Sequence, residues 1–498
     1  MKFLLQISGV IVCAIILSVC APVPFNDDNL PSKSFNIIGG DPIQAELLVT
    51  GAHCKIWAQK ESGVTINTAR MIADEYDSKI YSDVVSVFSK ANLEYNGYTG
   101  TAMEYSDVFF GDHDGKLCIL LLDIKDNYSP GLVDSYIAGY FSPYDLLANY
   151  RISNKCDMIY IDTYPGLNMD INNIYRTIAH ELQHMLNFTT SIIKRWDGKS
   201  YIDEFLMDTW IDEGLSESAE WIYAGHSYGR IKWFDEDKTG LIGKGNNFFI
   251  WNNHDEGGFD ETFEHAEAVL DDYSTAYLFF QWLRLQAESA NIYSDIITSD
   301  KSDYNAVLDI INKYTDNYYD DWDTLLKTWL AANYIKSSSG QYGYKNDTVL
   351  NSIKTPSIPD SLGNVIPLYP GEGVYSLLDD SFTKPDAESK IKYISLSSES
   401  PVEDFTEGNV LLTYNASTAG ITYNDNFVII YPSAEDGVTT GIPLPVLESF
   451  PKGRFVFDTS TSPYRIGMQD MLRHNKARII FHGKDFSAIN FSGHGKEK

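Results

Sequence analysis

Cysteine is nearly absent from this chain: five in 498 residues, two of them, Cys13 and Cys20, within the first twenty. The other three, Cys54, Cys118 and Cys156, match no zinc-ribbon spacing. A disulfide-built scaffold and a cysteine-ligated metal are thereby excluded. The expectation is at most one disulfide with one thiol left over; a pair involving Cys54 fits, and the sequence does not choose it. Positive charge is also scarce. Lys and Arg number 38 against 69 Asp and Glu, a net charge of −31. Nucleic acid needs a basic footprint, so it is excluded as a partner. Beyond Cys20 no apolar run is long enough to span a membrane. No G-x-S-x-G segment offers a serine nucleophile, and no repeat of 20–50 residues is evident.

The first twenty residues, MKFLLQISGVIVCAIILSVC, read as a secretory signal: one Lys, an apolar run, then polar sequence. Leu17-Ser18-Val19-Cys20 resembles a bacterial lipobox, although Val19 departs from the usual small residue. Cleavage after Ala21 would put Pro22 next, which is unfavourable. The expectation is an exported protein, a cell-surface or outer-membrane lipoprotein anchored through Cys20, ahead of free extracellular release. Aromatic residues are plentiful, with 33 Tyr, 25 Phe and 9 Trp, enough for a large core.

Histidine is rare, ten in all, yet two flank a glutamate in His180-Glu181-Leu182-Gln183-His184. Residues at i and i+4 share a helix face about 6 Å apart along the axis, close enough for both imidazoles to meet one Zn²⁺. Glu181 points about 100° away around the helix, suited to taking a proton from metal-bound water. Ile171, Ile174, Ile178, Leu182, Met185 and Leu186 form an apolar arc on the same helix. The histidines fall opposite its centre, so the helix reads as the wall of a cleft. Downstream, Trp210-Ile211-Asp212-Glu213-Gly214-Leu215-Ser216-Glu217 is helical in pattern. Glu213 and Glu217, four apart, repel unless a positive group lies near. They are either an acidic solvated face or carboxylates gathered around a metal.

HELQH followed by WIDEGLSE resembles a gluzincin metallopeptidase, and more narrowly the hyicolysin family of secreted bacterial metallopeptidases. Phe109-Phe110-Gly111-Asp112, the apolar strand from Leu117 to Ile124, and Ala138-Gly139-Tyr140-Phe141 add to the resemblance, which covers residues 45–340. It implies His180, His184 and Glu213 as zinc ligands and Glu181 as the catalytic base. It matches Glu217 to an acidic position that accepts a hydrogen bond from a ligating imidazole, that of His180. Tyr273, which opens the aromatic stretch Tyr273 to Leu283, matches a tyrosine that donates to the oxyanion in related aminopeptidases. His254 and His265 compete for that role, and an aromatic helix is also ordinary core.

The implied fold is α+β. A signal peptide (1–20) and a polar tether (21–45) precede a zincin-like metallopeptidase domain (46–345). That domain has a sheet-bearing upper lobe and a helical lower lobe, with the metal between. A proline-punctuated run then leads to a C-terminal all-β module (346–498). Strands are expected at Cys118–Leu122, Met158–Ile161, Ile391–Leu396, Val410–Tyr414, Phe427–Tyr431, Arg454–Phe457 and Arg478–His482. Asp112-His113-Asp114-Gly115 lacks the spacing and terminal Glu of a Ca²⁺ loop and reads as a turn, so Ca²⁺ is unsupported.

The expected activity is zinc endopeptidase action on proteins or peptides. One alternative is an aminopeptidase, although Thr101-Ala102-Met103-Glu104-Tyr105 echoes the amine-anchoring motif of such enzymes only loosely. Another is a non-enzymatic adhesin, which would be expected to have lost Glu181.

Overall fold

The computed structural model describes residues 30–38, 40–88, 114–125, 128, 130, 136–146, 152–195, 205–236, 263–354, 365–367, 370–378, 391–418, 427–430, 442–443 and 465–467. Among the described residues the first elements are strands β1 (Ser32–Phe35), β2 (Ile43–Thr50) and β3 (Cys54–Gln59), then helices α1 (Ile66–Glu75) and α2 (Tyr81–Phe88). Strands β4 (Leu117–Leu122), β5 (Tyr136–Phe141) and β6 (Met158–Asp162) follow. Next come α3 (Ile171–Lys194), α4 (Thr209–Ala224), α5 (Tyr228–Glu236), α6 (Phe263–Ala287), α7 (Asn291–Ile297), α8 (Tyr304–Tyr314) and α9 (Trp322–Ile335). The remaining strands are β7 (Val365–Pro367), β8 (Gly373–Leu377), β9 (Ile391–Leu396), β10 (Pro401–Val402), β11 (Val410–Asn415), β12 (Phe427–Ile430), β13 (Ile442–Pro443) and β14 (Arg465–Gly467).

The first sheet runs β1-β2-β3-β4-β6-β5-β14. β3, β4 and β6 are parallel, while β5 turns antiparallel to β6. β4 and β6 are buried along their whole length, which explains their unbroken apolar sequences. Part of the expected 21–45 tether is therefore sheet instead. Ser32–Phe35 pairs with Ile43–Thr50, and Phe35 is fully buried. Short strands among Pro and Gly residues carry too little local signal to be seen before their partners are known.

One sheet face and the helices enclose the main core, which includes Ile56, Ile119, Ile159, Ile178, Leu182 and the α6 aromatics. Asp170 caps α3, accepting from the Asn172 backbone N–H. Gly139 lets α3 lie close on β5, since a Cβ there would stand 2.7 Å from the Tyr160 carbonyl and 2.8 Å from Thr177 Cγ2. Beyond the helices, β10-β9-β11-β8 and β13-β12-β7 form two antiparallel sheets. The first docks on α9: the Tyr375 hydroxyl donates to the Leu330 carbonyl, and Tyr414 donates to Asp323 at 2.6 Å. The architecture is α+β, a zincin-like body with a β module after it. The expected strands Arg454–Phe457 and Arg478–His482 lie outside the described residues, as do Cys20 and the signal, residues 101–113, and His254.

The sheet also sorts the thiols. Cys54 faces the helices, whereas Cys118 and Cys156 share the smaller cluster on the opposite face. All three are free and buried, and the side chains of Cys118 and Cys156 touch through a hydrogen bond. The neighbouring pair thus leaves out Cys54, contrary to the pairing entertained from sequence. Treatment with a small-molecule disulfide, followed by peptide mapping without reductant, is expected to find a Cys118–Cys156 link. A linked Cys54 would contradict the two-sided arrangement.

Candidate metal centre

α3 and α4 lie antiparallel, and their contacts form a ladder. His184 meets Asp212 and Ser216, His180 meets Glu217 and Glu220, and Arg176 meets Ala224. As α3 is read backwards in steps of four, α4 is read forwards, one turn each. Glu213 lies on this seam. Its Oε2 is 3.2 Å from His180 Nε2 and 3.3 Å from His184 Nε2. One ligand atom from each of the three residues falls within 4.8 Å of the others. The imidazole rings stand 4.8 Å apart at 72°, converging rather than stacking.

The groups are sequestered: His180 is 5% exposed, His184 1% and Glu213 0%. The sequence placed the histidines on a cleft wall; α4 covers that face instead. Burial alone would hold both imidazoles neutral. The Glu213 and Glu220 carboxylates outweigh it at His180, whose affinity for a proton is pushed up to about 10. Glu213 and Asp212 act likewise on His184, while burial, overcome by the two histidines, leaves Glu213 well below the usual carboxylate range. Protons and a cation therefore compete for the same nitrogens.

The donor set fits a metal. Two imidazoles and one carboxylate match a three-ligand zinc site. Among the buried atoms with no hydrogen-bond partner are His184 Nε2, Glu213 Oε1 and Glu181 Oε2. Such orphans are costly in a protein interior, and a cation meeting the first two would offset that cost. A second trio, His180, Glu217 and Glu220, also has metal-like spacing. There Arg230 already occupies Glu217, donating to Oε1 from Nε at 3.0 Å and Nη2 at 2.7 Å. A guanidinium in that place opposes a cation.

Glu181 leaves the helix beside β5, where the Phe141 backbone N–H bonds its carboxylate. Burial raises its proton affinity, against the pull of His180 and His184. Tyr273 is fully buried, its ring centroid 6.2 Å from that of His180 and 4.4 Å from the Arg230 guanidinium carbon. His265 falls on α6, but its side chain lies outside the described residues. Sequence reading missed Asp212. Its Oδ1 is 3.1 Å from His184 Nδ1 and accepts from Asn187 on α3. An acid directly before Glu213 was the available signal. Arg230, from a third helix, carried none.

No family model matches the chain. Over 361 residues it is 28% identical to the neutral metalloprotease ShpI of Staphylococcus hyicus, a match covering 71% of this chain and 72% of that protein. The paired motifs, the fold and this relative agree: the chain is a zinc-dependent protease, and it resembles the hyicolysin family.

Proposed function

We propose that the protein is a secreted or surface-anchored zinc metalloendopeptidase that cuts peptide bonds within proteins. Its ion would be held by His180, His184 and Glu213, within the domain bounded by residues 46 and 345. The observation that carries this reading is the convergence of both Nε2 atoms on one Glu213 oxygen. When bound, zinc supplies Lewis acidity, lowering the pKa of water towards about 7 and polarising a carbonyl.

The chain's residues supply the rest. Glu181, made more basic by burial, takes a proton from the attacking water and returns it to the leaving amine. The Phe141 N–H keeps its carboxylate in place through both transfers. Tyr273, beside His180, is our choice for stabilising the oxyanion, over His254 and His265. Export rests on the leader, with Cys20 as a lipid anchor. Among the described residues no helix is long and apolar enough to cross a membrane.

Peptides blocked at the amino terminus separate this reading from an aminopeptidase. An endopeptidase cuts them at internal bonds. Turnover confined to free-amine peptides, released one residue at a time, would reject it.

A further inference from the structure

Resting on that zinc site, we infer that Glu220, not Glu217, is the carboxylate that orients the His180 imidazole, and that Arg230 is the reason. Glu217, four residues beyond Glu213, is the residue that the family resemblance nominates. The α3–α4 ladder shifts the match by nearly one turn. His180 Nδ1 is 3.3 Å from Glu220 Oε1 and 3.8 Å from Glu217 Oε1. That same Glu217 oxygen takes two N–H donors from Arg230, whose fork is suited to a carboxylate. Arg230 cannot easily turn away, because it is mostly buried and its guanidinium lies over the Tyr273 ring. Glu220 keeps Oε1 towards the ring while Oε2 faces Arg176 at 4.0 Å. The Glu217 oxygen nearer the imidazole is thus the one that Arg230 holds, whereas the Glu220 oxygen nearer the imidazole is not the one that faces Arg176.

The carboxylate beside the remote nitrogen of a ligating histidine fixes its tautomer and makes the coordinating nitrogen a better donor. Glu220 is therefore a positioning residue, acting on the ion through His180.

The test is the zinc dissociation constant, measured by chelator competition on the full chain. E220Q is expected to raise it about 10–100-fold. The double variant E217Q/R230Q, which removes a buried pair together rather than stranding one charge, is expected to leave it at the wild-type value. In E220Q/R230Q, Glu217 is released to approach Nδ1, and part of the lost affinity is expected to return. A merely structural Glu220 would show no such recovery. Weak binding in E217Q/R230Q with wild-type binding in E220Q overturns the assignment, and so does absence of recovery in E220Q/R230Q. A wild-type protein that takes up no zinc fails differently: it rejects the zinc site itself.

Discussion

Glu181→Gln is expected to lower kcat on casein by about 10²–10⁴-fold, the usual worth of a positioned general base, while zinc content stays at the wild-type level. The substitution keeps the side chain's size, and an amide oxygen can still accept from the Phe141 N–H. What disappears is the ability to hold a proton between attack and departure. Parallel measurement of kcat and bound zinc decides the matter. Undiminished turnover with zinc bound would exclude Glu181 as the base. If a biological effect of the protein on cells or matrix also survived in E181Q, the adhesin reading would gain.

The second large effect is expected from Glu213→Ala. Its Oε2 stands between both imidazoles, so the change should weaken zinc binding by more than the roughly 10–100-fold expected of a residue that only supports a ligand. Activity should fall with it and return only in part at high zinc. Chelating the ion from the wild-type protein should likewise abolish activity and also lower Tm, because a ligand bound to the native state stabilises it by mass action. Acid should favour metal loss: both histidines have raised proton affinities, so protons displace the ion as pH falls. An active, zinc-loaded Glu213→Ala protein would show that another group completes the site.

The core of the site was legible because it is local. HELQH needs only helical periodicity to bring His180 and His184 together, and the next helix offers Glu213 within one short motif. The apolar runs that became β4 and β6 were legible as buried strands, while their α+β arrangement was what the family resemblance implied. What escaped depends on how separate elements cross. The partner of His180 follows from the offset between α3 and α4 and from an arginine contributed by α5. The family resemblance points to Glu217 and cannot register that competition. The sequestered histidine face was missed for a related reason: a helical wheel shows which face is polar, not what covers it. β1 and the first three residues of β2 fall within the expected tether because four residues such as Ser32–Phe35 become a strand only through their neighbours.

Gly214 adjoins Glu213, and an added Cβ there would stand 2.4 Å from Phe280 Cδ2. Glu213, proposed above as a zinc ligand, is thus set one peptide bond from a point where α4 and α6 touch with no clearance. Its reach is governed from behind, by the aromatic ring of Phe280. Bulk gained at either member of that contact would push the carboxylate out of register, so tolerance to change at Phe280 is limited by the position that Glu213 must keep.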